Sequence, residues 1–174
     1  MSTDRAAFFF YGTLRNPSWM RSFNAYAAGT VAVPGHELAP RGFTPVTHKL
    51  KGRSLLKPNG LGFPIIWPMD PEDEVLGTVV HVEGPLVPEV IRWLDGVESE
   101  GVMYDRVQME ATPIKWVDEV GLVAGEPEGV SVYVPTMRFV ESLAFSSYAD
   151  HIVTGDWLDR SRIDKVEHER WAKT

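Results

Sequence analysis

FFFYGTLRNPSW, residues 8–19, decides how the fold is read. With Ala6 and Ala7 ahead of them, the phenylalanines and Tyr11 make a continuous apolar and aromatic run. Such a run suits a β-strand covered on both faces rather than one with a wet side. Gly12 ends it, since a residue without Cβ admits a backbone turn that a side chain would hinder. Asn16-Pro17 then reads as a helix start, with Asn16 as cap and Pro17 at the first helical position. Trp19, Met20, Phe23 and Ala27 share one side of that helix, and Gly29 stops it. Strand, glycine loop and helix start in succession aim free backbone N–H groups, and the positive end of a helix dipole, at one place. This junction either holds an anionic group such as a carboxylate or is a plain connection without a ligand.

Outward from that stretch, residues 30–36 (TVAVPGH) predict a short strand. Residues 37–73 are rich in Pro and Gly and predict long loops with one or two short strands, because no sustained apolar period runs through them. VLGTVVHV, residues 75–82, predicts a strand, and GPLVPEVIRWLDGVE a short helix with Leu86, Val90, Ile91 and Leu94 inward. That helix is expected to end near Trp93-Leu94, with Asp95, Glu98 and Glu100 just beyond it. MYDRVQMEA alternates as a half-buried strand, IKWVDEVGLV adds another, and GEPEG turns into VSVYV. From Thr136 a helical period returns through Phe139, Val140, Leu143, Ala144, Tyr148 and Ile152 and ends near Gly155. Short strands interspersed with separate helices predict the α+β class, with a curved or closed sheet as its core. Residues 1–157 read as a single domain and 158–174 as a charged C-terminal extension.

Composition narrows the chemistry. At 174 residues the chain is long enough for a real hydrophobic core. A net charge of -7 argues against nucleic acid as the main partner, since phosphate binding needs a basic face. It leaves room for a small anionic substrate in a locally favourable pocket. With no cysteine, disulfides, thiolate nucleophiles and cysteine-ligated metals drop out. The five histidines show no ligand spacing and no H-E-x-x-H, so no metal is expected. No G-x-S-x-G, P-loop or G-x-G-x-x-G occurs. MSTDRAA carries no signal core and FFFY is too short to span a bilayer, so a cytoplasmic protein without membrane contact is the expectation.

Carboxylates remain. In LDGVESEGVMYDR, Glu98 sits at a helix-to-strand junction among apolar residues. Partly buried there, it gains a raised pKa and becomes a better base; left in water, it belongs to an ordinary acidic turn. Glu100 competes for the same role.

Taken together, Tyr11-Gly12-Thr13-Leu14 after an apolar strand, Leu94-Asp95-x-x-Glu98, and then Tyr104-x-Arg106 resemble the gamma-glutamylcyclotransferase-like family, its gamma-glutamylaminecyclotransferase branch in particular. V-Y-V at 132–134 and T-G-D-W at 154–157 are fainter echoes, and the resemblance spans roughly residues 7–157. It implies a small, mostly antiparallel β-barrel with peripheral helices. It also implies conversion of a γ-glutamyl amine or peptide to 5-oxoproline and a free amine, with no cofactor because both reacting atoms belong to one substrate. On this resemblance Glu98, favoured over Glu100 by the L-D-x-x-E spacing, is the acid/base. The N–H groups of Gly12, Thr13 and Leu14 bind the substrate carboxylate or polarise its carbonyl, and Tyr11 is a wall residue or hydroxyl donor. Tyr104 and Arg106 are substrate-pocket candidates, or else a cross-strand pair on a solvated face. Two other functions fit the same pattern: a binding or regulatory module that keeps the pocket without the chemistry, and removal or transfer of another acyl group in a biosynthetic pathway.

Overall fold

β1 (Ala6–Phe10) takes a central place in the larger sheet because both of its faces are apolar. It pairs antiparallel with β5 (Glu74–Val82) and parallel with β8 (Glu128–Pro135). Phe8 and Phe10 pack with Val80, Val82, Val90 and Leu94, whereas Phe9 and Tyr11 pack with Leu50, Val75, Val79, Val130 and Val132. The run is therefore covered on both sides, and each buried phenylalanine contributes about 2–3 kcal/mol. The computed structural model describes residues 5–15, 46–82, 84–117, 119–143 and 149–157. The helix expected from Asn16, the strand expected at 30–36 and the 158–174 extension lie outside the described residues.

The larger sheet runs β2 (Val46–Lys51), β5, β1, β8, β6 (Tyr104–Val117), β7 (Gly121–Ala124). β2 also meets β6, through His48↔Pro113 and Lys49↔Thr112. The class is α+β as expected, but the closed barrel is corrected to a curled sheet. Its seam is two residue pairs long, Pro113 brings no N–H to it, and β7 continues beyond as an edge. A second sheet runs β4 (Ile65–Trp67), β3 (Ser54–Pro58), β9 (Ala149–His151).

Four elements depart from expectation. The IKWVDEVGLV segment is not one further strand: residues 114–117 end β6, and Gly121–Ala124 returns along it as β7. The described part of the 37–73 stretch, from residue 46, holds three strands, because Pro58, Pro64 and Pro68 mark strand ends rather than continuous loop. Helix α1 (Val87–Glu98) continues through Glu98 instead of ending near Leu94, and stops where Ser99 turns left-handed at φ 52°. Among the described residues, the helix expected from Thr136 to Gly155 is α2 (Met137–Ser142), capped by the Thr136 hydroxyl, which accepts the Phe139 N–H at 3.1 Å. Ala149–His151 instead extends as β9 along β3. The apolar period persists there, but strand pairing overrides it.

Candidate active site

A cavity of about 260 Å³ opens where β1, β6, β8 and the end of α1 converge. Tyr11, Gly12, Thr13 and Leu14 line it from β1 and the turn that follows, Glu98 from α1, Tyr104 from β6 and Tyr133 from β8. Phe63, Pro64, Val97 and Met103 complete a largely apolar wall.

The turn after β1 is a single 3-10 turn, Thr13–Arg15, in which the Arg15 N–H donates to Gly12 O at 2.9 Å. The leading N–H groups of such a turn have no acceptor within it. Gly12 is needed for contact rather than for an unusual dihedral: its φ is not positive, and a Cβ there would lie 3.1 Å from the Pro64 ring. Arg15 anchors the turn. Its buried guanidinium donates to Leu76 O at 3.0 Å, to the Thr78 hydroxyl at 3.3 Å and to Asp156 Oδ1 at 2.5 Å. Asp156 belongs to the T-G-D-W segment, so that segment braces the turn from across β5. Next to the turn, the buried Tyr11 hydroxyl donates to Tyr133 O at 2.8 Å, and burial pushes its pKa well up.

Glu98 is the last residue of α1, and the Ser99–Met103 turn sends the chain back so that Tyr104 enters β6 beside it. Desolvation raises the Glu98 carboxyl from 4.5 to about 7. Tyr104 and Tyr133 are also raised by burial, and the Glu98 charge adds to both. Near neutral pH the three tyrosine hydroxyls stay protonated, which leaves Glu98 as the titrating group on the wall. Glu100 is exposed and does not line the cavity.

The carboxyl's elevated value has a consequence for stability. Its folded value lies above its unfolded one, so its contribution is intact below about 4.5 and is lost as pH rises through about 7. Ionised Glu98 then weakens the fold by about 3 kcal/mol. Glu98→Gln is therefore expected to unfold at higher denaturant than the parent at pH 8, and at the same denaturant at pH 4. Urea melts at both pH values check this.

The sequence-predicted residues are not all gathered here. Tyr104 is buried on the cavity wall, not on a solvated face. Arg106, two residues on, does not line the cavity; its Nε donates to Asp95 Oδ1 at 3.1 Å. Tyr133 lines the cavity and was missed as a site residue, although a tyrosine between valines in V-Y-V was its signal.

The sequence matches the family profile described as "Gamma-glutamyl cyclotransferase, AIG2-like" over residues 8–159. The chain belongs to this AIG2-like family. Two Arabidopsis thaliana proteins solved in solution resemble this AIG2-like chain at 20% identity. One covers 99% of it and 89% of its own length with a TM-score of 0.50. The other covers 99% and 82% with a TM-score of 0.52. A crystal structure of an AIG2-like protein from Mus musculus is 18% identical over 81% of this chain and 83% of its own, with a TM-score of 0.48. No curated protein matches the sequence. At this identity the likeness to the two Arabidopsis structures shows the fold alone, a curled sheet with few helices.

Proposed function

We propose that this protein cyclises a γ-glutamyl amine or peptide to 5-oxoproline with release of the amine, using Glu98 as acid and base. One observation carries the reading: a half-buried, elevated carboxyl and the Tyr11–Leu14 turn face into the same small cavity. The substrate's α-ammonium gives a proton to the Glu98 carboxylate. The freed amine then attacks the side-chain carbonyl carbon and forms the ring C–N bond. As the bond to the leaving nitrogen breaks, Glu98 returns that proton to it, and the second proton of the ring nitrogen passes through the same carboxylate to the departing amine, which leaves as an ammonium beside the neutral lactam. N–H groups of the turn stabilise charge on the carbonyl oxygen or hold the α-carboxylate. The aromatic wall folds the substrate onto itself, so that amine and carbonyl meet in one molecule.

Incubation with a panel of γ-glutamyl amines and dipeptides, followed by assay for 5-oxoproline, tests the reaction. Because Glu98 must be ionised to accept the proton, kcat/KM is expected to rise with pH and reach half its plateau near 7. A flat profile from pH 5 to 9 would remove Glu98 from the base role. If small carboxylates raise the melting temperature while nothing turns over, the protein is a binding module instead.

A further inference from the structure

Asp95 is set one helical step before Glu98 on the same face of α1, at i and i+3. Its backbone carbonyl accepts the Glu100 N–H at 2.9 Å and closes the turn that follows Glu98. Its carboxylate works in the other direction. Oδ1 receives Arg106 Nε at 3.1 Å and the Tyr133 hydroxyl at 2.5 Å. Arg106 and Tyr133 are directly opposed partners in the β6–β8 ladder, so one oxygen ties α1 to two neighbouring strands. Tyr133 in turn lines the cavity, and its carbonyl holds the Tyr11 hydroxyl.

We propose that Asp95 is a positioning residue for Glu98: it pins the helical turn that bears the carboxylate and cancels the Arg106 charge before that charge reaches the cavity. This rests on the reading of Glu98 as the base. Among the described residues, the groups around Glu98 are the hydroxyls of Tyr11 on β1, Tyr104 on β6 and Tyr133 on β8, all protonated near neutral pH. The charges of Asp95 and Arg106, a balanced pair, act on Tyr133, and so does the charge of Glu98. With the pair intact, Glu98 feels burial and little net charge. Without Asp95, Arg106 becomes an uncompensated cation beside a low-dielectric pocket and favours the ionised base.

Substitution of each partner gives opposite signs, which a general loosening of the fold would not. Asp95→Asn keeps an oxygen able to accept from both donors while removing the charge. Arg106→Gln leaves Asp95 as an uncompensated anion. The readout is the titration of the Glu98 side-chain carboxyl by carbon-detected NMR, which requires no substrate. Its midpoint is expected to fall by roughly one pH unit in Asp95→Asn and to rise by roughly one in Arg106→Gln. The double variant is expected to return to the parent's midpoint. Midpoints that stay put, or that move in the same direction, overturn the proposal. If Asp95→Asn does not fold, Arg106→Gln alone decides by the same criterion. Opposite shifts without any 5-oxoproline from the parent would sink the reaction proposed above and leave Asp95's electrostatic role standing; turnover with unmoved midpoints would do the reverse.

Discussion

Glu98→Gln is expected to lower turnover of a γ-glutamyl amine at least ~100-fold, with KM changed far less than kcat. That factor corresponds to about 2.7 kcal/mol of lost transition-state stabilisation, the lower end of what a positioned acid/base supplies. Glutamine keeps the shape of the wall but takes no proton from the substrate's ammonium, so binding survives while the nucleophile stays masked. Two controls make the result decisive. Glu100→Gln, at an exposed position off the cavity, is expected to keep parental activity. Glu98→Gln itself is expected to be more stable than the parent at pH 8, so an inactive variant cannot be put down to misfolding. Equal activity in parent and Glu98→Gln, with Glu100→Gln dead, would shift the assignment by two residues.

The second large effect concerns Gly155. Its φ is +64°, and a Cβ built there would lie 1.9 Å from the Glu74 carbonyl oxygen. The obstacle is backbone rather than a movable side chain, and it belongs to a strand that also receives Gly155: the Leu76 N–H donates to Gly155 O at 2.8 Å. Gly155→Ala must therefore both adopt a left-handed conformation and push T-G-D-W away from β5. A loss of at least about 3 kcal/mol is expected, which for a chain of this length lowers the melting temperature by roughly 6–12 °C. Thermal unfolding measured by circular dichroism checks it; a change under 2 °C would mean that the segment repacks freely. Because the neighbouring Asp156 holds Arg15, the variant is also expected to raise KM by loosening the turn after β1.

Much of the scaffold was legible from local pattern. An unbroken aromatic run marked β1 as a strand with two covered faces, the Leu86–Leu94 spacing marked α1, and Thr136 marked the start of α2. What local pattern missed was set by distant partners. The period from Phe139 to Ile152 looks helical until β3 offers an edge for Ala149–His151 to pair with. The prolines between 58 and 68 look like loop until each is seen to stand at the boundary of a strand. The site divides in the same way. Tyr11–Leu14 and Glu98 stand out by motif, and the structure lines one cavity with them. Arg106 shares a strand and a motif with Tyr104 yet bonds to Asp95 instead of lining the cavity, because a 14-residue strand on a curled sheet does not keep its alternate residues in a single environment. Tyr133, separated from Tyr11 by 122 residues, becomes a wall of the site only through strand pairing.

That separation bears on the order in which the protein is made. β1 leaves the ribosome before its neighbour β8, which follows more than a hundred residues later, in parallel orientation. Until then the first strand has only β5 beside it, and the oily surface of Phe9 and Tyr11 lacks Val130 and Val132 to cover it. The pocket thus stays incomplete until β8 emerges, and a nascent chain halted before residue 128 carries Glu98 and the turn after β1 without the β8 wall between them.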